Sequence, residues 1–80
     1  MPEFILHHTH DADECASVFA AWTGFTSPLR HRTAASTCLA GGHCLLWQVE
    51  AGGIEEAVAL LPAFVAARTD IVEIRAVEIP

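Results

Sequence analysis

Short apolar runs alternate with polar breaks along this chain. "EFILHHT" (3–9) is β-prone and apolar in its first half, which predicts a strand. In "DADE", Asp11 stands as an N-cap with Glu14 three residues on, the spacing of a capping box. Cys15, Val18, Phe19 and Trp22 then recur at i, i+3, i+4 and i+7. They form one face of a helix reaching about Thr23, where Gly24 suits its C-terminal end. "FTSPLRHR" (25–32) reads as a loop, and "TAASTCLA" and "HCLLWQVEA" flank Gly41 and Gly42 as a β-hairpin. A second helix starts at Gly52 and Gly53. Glu55 and Glu56 lie in its first turn, and Ile54, Val58, Leu61 and Val65 supply its buried stripe. Pro62 removes a hydrogen bond and clashes with the preceding turn, so that helix kinks or breaks there. "DIVEIRAVEI" (70–79) alternates and closes the chain as a strand.

The order β-α-β-β-α-β is the ferredoxin-like plan. It implies a single α+β domain over residues 1–80, with a four-stranded antiparallel sheet in the order 4-1-3-2 and two helices on one face. In that plan the end of strand 1 meets the turn between strands 2 and 3. His7, His8, His10, Cys15, Cys38, His43 and Cys44 then converge at one end with Asp11 and Asp70, while His31 lies at the other.

Imidazole and thiolate are the usual ligands of zinc and related transition metals. His8, His10, His43, Cys38 and Cys44 are therefore the candidate metal set. Strand alternation puts His8 and His10 on one face with Phe4 and Leu6, and His7 on the other with Ile5. The hairpin register decides the thiols. A two-residue Gly41-Gly42 loop sets Cys38 opposite Leu45, whereas a three-residue loop from Ala40 sets it opposite Cys44. No CxxC, HExxH or zinc-finger spacing is present. Cys15, on the helix stripe, reads as a small buried hydrophobe. A Cys–His nucleophile at the hairpin lacks an orienting third group, whereas a histidine general base needs only its ordinary pKa.

Two further features bear on small-molecule binding. His7 and Trp47 are candidate ligand contacts, although the Trp22 and Trp47 indoles also suit the core. "RHR" (30–32) is the one local positive patch, read either as a solvated loop or as a holder for an anionic group. On strand 3, His43, Leu45, Trp47 and Val49 are assigned to the helix side. On strand 4, Val72, Ile74 and Ala76 join them, leaving Ile71, Val77 and Ile79 on a face that no helix covers.

Composition narrows the partners. Of the 80 residues 52% are hydrophobic, rich for so short a chain, and a second copy of the chain would bury the excess. Ten acids face four bases for a net charge of −6, which argues against nucleic acid and anionic membranes. All four bases are arginines, so a side-chain amine cannot form a Schiff base. The N-terminus lacks the features of a signal peptide and no run spans a bilayer. A cytoplasmic location with reduced thiols is therefore the expectation, and three cysteines cannot close a disulfide framework.

The element order, the length, and "VEA" leading into a helix that ends near "RTDIVEIRAVEI" resemble short uncharacterised bacterial members of the dimeric α+β barrel superfamily. The resemblance implies a homodimer whose two sheets face each other, with a small organic ligand between sheet and helices or between subunits. Cofactor-free monooxygenases, muconolactone-type isomerases and haem-degrading enzymes belong to that superfamily. No catalytic motif is shared, so no residue role transfers. Three functions remain: a metal-binding module, a cofactor-independent enzyme acting on a small hydrophobic substrate, and a non-enzymatic assembly subunit.

Overall fold

Four strands and three short helices make up the computed structural model, which describes all 80 residues. Strands β1 (Glu3–Thr9), β2 (Ala35–Ser36), β3 (Cys44–Glu50) and β4 (Thr69–Ile74) form one open antiparallel sheet in the order β2-β3-β1-β4. Helices α1 (Cys15–Ala20), α2 (Ile54–Val58) and α3 (Ala63–Ala66) complete an α+β architecture. No helix is long and apolar enough to cross a membrane.

β1 is central, and its alternation sets the core. Phe4, Leu6 and His8 are buried on one face, and residues directly opposite on neighbouring strands share that face. Leu6 stands between Trp47 and Ile71, and His8 between Leu45 and Thr69. Val18 of α1, Ala57 of α2, Val65 of α3 and the intervening Leu61 cover them as one apolar cluster. Each fully buried large side chain contributes about 1.5–3 kcal/mol.

The pairing corrects the expected face of β4. Ile71, opposite Leu6, points toward the helices and packs against the core, whereas Val72, opposite Ile5, is 54% exposed on the open face. "DIVEI" is apolar on both faces, so alternation fits either phase and the pairing with Leu6 decides. β4 also stops at Ile74, whose partner Glu3 is the first residue of β1. Pro2 has no amide to extend the ladder, and Val77 and Ile79 lie exposed beyond the sheet.

The helical stripes are narrower than expected. Val18 is fully buried, but Phe19 is 57% exposed. The second helix breaks at Pro62, which N-caps α3, and the Ala66 amide donates to the Pro62 carbonyl at 2.8 Å. Once α2 is freed from α3, Ala57 rather than Ile54 or Val58 faces the sheet, and those two larger residues are exposed.

Neither simple hairpin register forms. β2 has only two residues, pairing Ala35 with Leu46 and Ser36 with Leu45. Thr37 then reverses the chain. Its carbonyl accepts the Ala40 and Gly42 amides, its own amide donates to the Cys44 carbonyl, and its hydroxyl accepts the Cys44 amide at 3.3 Å. Gly41 takes the left-handed conformation (φ 83°), and a Cβ on Gly42 would strike the Thr37 side chain. Cys38 is thereby held in an exposed turn, opposite neither Leu45 nor Cys44.

Candidate metal centre

The ladder between β1 and β3 runs one bond past the strands, with the His10 amide donating to the His43 carbonyl at 3.0 Å. That bond brings the backbones of His10 and His43 together at one end of the two central strands. The turn Asp11–Glu14 then folds α1 back over them. Glu14 accepts the Asp11 amide at 3.0 Å and pairs with Arg68 beyond α3 at 2.8 Å. These two contacts, the amide bond first, hold the Glu14 carboxyl below its ordinary pKa. Cys15, the next residue, is thereby fixed between the two imidazoles.

One ligand atom each from His10, Cys15 and His43 lies within 4.8 Å of the others. His10 Nε2 is 3.3 Å from Cys15 Sγ, and His43 Nδ1 is 3.1 Å from the same sulfur. A tetrahedral zinc ion with Zn–N of about 2.05 Å and Zn–S of about 2.3 Å sets N···S at about 3.6 Å. Each nitrogen needs to move away from the sulfur by only about 0.3–0.5 Å to match that separation.

The hydrogen bonds behind the cluster fix its tautomers. The Thr69 hydroxyl donates to the Val65 carbonyl at 2.7 Å. His8 Nδ1 is 3.3 Å from that carbonyl, which only accepts, so Nδ1 carries the proton and shares it with Thr69 Oγ1 at 3.1 Å. His8 Nε2 is then an acceptor, and His10 Nδ1–H donates to it at 3.0 Å. This leaves the lone pair of His10 Nε2 aimed at the Cys15 sulfur. Burial lowers the His8 pKa and outweighs the carbonyl bond, so the buried ring is held neutral. A ligating imidazole braced through its second nitrogen is the usual support of a metal-bound histidine.

The sequence-level candidates divide accordingly. His10 and His43 face one another across the thiol. His8 is not at the ligand position, because both its ring nitrogens are committed to hydrogen bonds, and it supports His10 instead. Cys44 lies opposite Thr9 on the other face of the sheet, and Cys38 is exposed. His7, exposed between Leu46 and Asp70 on the open face, and the buried Trp47 lie on opposite sides of the sheet. Cys15, read as packing from its place on the helix stripe, is the residue at the centre. The available signal was its position immediately after the capping turn, five residues beyond His10.

No family model, curated protein or solved structure matches the chain.

Proposed function

We propose that this chain is a metal-binding module whose centre is His10, Cys15 and His43, suited to zinc or a similar transition metal. The observation that carries it is the meeting of two imidazole nitrogens and one thiol within 4.8 Å, with His10 oriented from behind by His8. Nitrogen and sulfur donors select zinc-type ions over calcium or magnesium. Three protein ligands leave a fourth position for water or substrate, the arrangement of catalytic rather than structural zinc, and a bound ion there would supply an activated water. Binding requires the thiolate of Cys15 and the tautomer of His43 that carries its proton on Nε2. Three free thiols favour a reducing compartment such as the cytoplasm.

Elemental mass spectrometry on untagged protein tests the reading. About one equivalent of zinc, nickel, copper or iron per chain is expected, falling to background in His10→Ala and Cys15→Ala. A folded, metal-free wild type that also fails to take up added zinc overturns it and leaves the cofactor-independent enzyme and the assembly subunit.

The open sheet face favours a second reading, a homodimer of the ferredoxin-like, dimeric α+β barrel type. Ile5, Leu46 and Val72 lie there with no helix over them, Leu46 and Val72 being 37% and 54% exposed. Light scattering after gel filtration is expected to give twice the chain mass for the wild type and the monomer mass for Val72→Glu.

A further inference from the structure

A cleft of about 440 Å³ opens on the helix side of the sheet, between the end of α1, the loop after Pro28 and β3. Phe19, Trp22, Leu29, Leu45 and Trp47 give it apolar walls, and Arg30, His31 and Arg32 form its lip. Its volume falls within the range of small-molecule sites, which is about 300–1,000 Å³. The Trp22 and Trp47 rings lie 5.9 Å apart at 50° and present an aromatic corner rather than a closed stack.

The lip carries an unusual charge for this chain. Ten acids outnumber four arginines, yet Arg68 makes the one ion pair, and neither Arg30 nor Arg32 has a carboxylate partner. The loop bearing them is held firmly. Ser27 donates its hydroxyl to the Leu60 carbonyl at 2.7 Å and accepts the Leu29 amide at 3.1 Å. The Arg30 and Arg32 amides close successive turns onto the Ser27 and Leu29 carbonyls, and Arg30 Nη1 reaches the Phe25 carbonyl at 3.4 Å. Between them His31 is the one non-glycine residue with positive φ, at 65°. Strain of this kind persists only where the surrounding structure imposes it, and it gathers at binding sites.

We propose that this cleft binds a small planar aromatic carboxylate, its rings against Trp22, Leu45 and Trp47 and its charge met by Arg30 and Arg32. Apolar walls supply most of the contact, and guanidinium groups match a carboxylate in shape as well as charge. The overall charge of −6 repels anions in general, so affinity for one reports this lip rather than a diffuse field. The same net charge opposes a dianion more strongly than a monoanion, which favours a carboxylate over a phosphate ester. The proposal is independent of the metal reading, although Phe19 lies one helical turn beyond Cys15 and Leu45 one strand repeat beyond His43, so the two sites are close neighbours.

The chain's two tryptophans both line the cleft, so intrinsic fluorescence reports occupancy without a label. 2-Naphthoate is expected to quench the emission saturably and to bind at least tenfold tighter than the neutral 2-naphthamide. The double variant Arg30→Gln/Arg32→Gln, checked for folding by near-UV circular dichroism, is expected to lose that preference and keep the weaker amide binding. Cys15→Ala is expected to retain naphthoate binding, which separates this result from failure of the metal centre. Equal binding of acid and amide, no saturable binding of either, or a preference that survives the double arginine variant would each overturn the proposal. Tenfold tighter binding of 2-naphthyl phosphate than of 2-naphthoate would overturn its choice of carboxylate.

Discussion

His8→Leu separates the metal centre from the fold that carries it. The side chain is fully buried and makes contacts to Val65, Thr69 and His10. Leucine is of similar volume, so little cavity forms. The Val65 carbonyl keeps the Thr69 hydroxyl at 2.7 Å, and only His10 Nδ1–H loses its acceptor. The stability cost is therefore about 1–2 kcal/mol, the range of one or two net hydrogen bonds. Zinc affinity suffers more in relative terms. Without His8 Nε2 the His10 ring is free to turn or to place its proton on Nε2, and loss of such a brace typically costs about 10–100-fold. Urea unfolding of the apo protein and zinc competition against a chromophoric chelator measure the two effects separately. His8→Gln returns an acceptor near His10 Nδ1 and is expected to recover part of the affinity. A folded His8→Leu protein that binds zinc within twofold of wild type would refute the brace.

Three more outcomes are expected. Leu6→Ala, at a fully buried central position, costs about 2–5 kcal/mol, whereas Ile54→Ala, 56% exposed, stays within about 0.5 kcal/mol, and paired thermal melts show the difference. Because burial lowers the folded-state pKa of His8, the unfolded chain takes up the proton first as pH falls. Apo stability therefore declines below about pH 6.5, and urea midpoints at successive pH values should show that slope flattened in His8→Leu. Glu14 acts in a lower window, contributing above about pH 4.5 and losing its contribution as pH falls through its depressed value. Iodoacetamide is expected to alkylate the exposed Cys38 at similar rates with and without zinc, while zinc protects Cys15, as peptide mass spectrometry of timed samples reveals.

The parts of this molecule legible in the sequence are those that a single period determines. β1 alternates cleanly, so Phe4, Leu6 and His8 could be assigned to one face and His7 to the other. Pro62 marks its break because the ring itself removes the hydrogen bond. Where two solutions satisfy the same pattern, the tertiary partner chooses. Ile71 and Val72 are equally good inward residues until Leu6 selects one. Thr37 ends β2 through its own backbone and hydroxyl contacts, a local chemistry that hydrophobic periodicity does not register. Cys15 escaped for a related reason. Its helical spacing marks an apolar stripe, but its role depends on the angle at which the capping turn folds α1 back onto β1.

The His8 contacts also order events in time. His10, Cys15 and His43 all precede β3, yet the groups that orient His8 lie 57 and 61 residues beyond it. A chain that has not yet docked α3 and β4 carries every ligand without the support that aims His10. Such a chain would hold metal loosely and exchange it readily, and tight binding would arrive only when β4 pairs with β1. Metal retention would then serve as a report of completed folding, with partly folded chains distinguished by how quickly they surrender the ion.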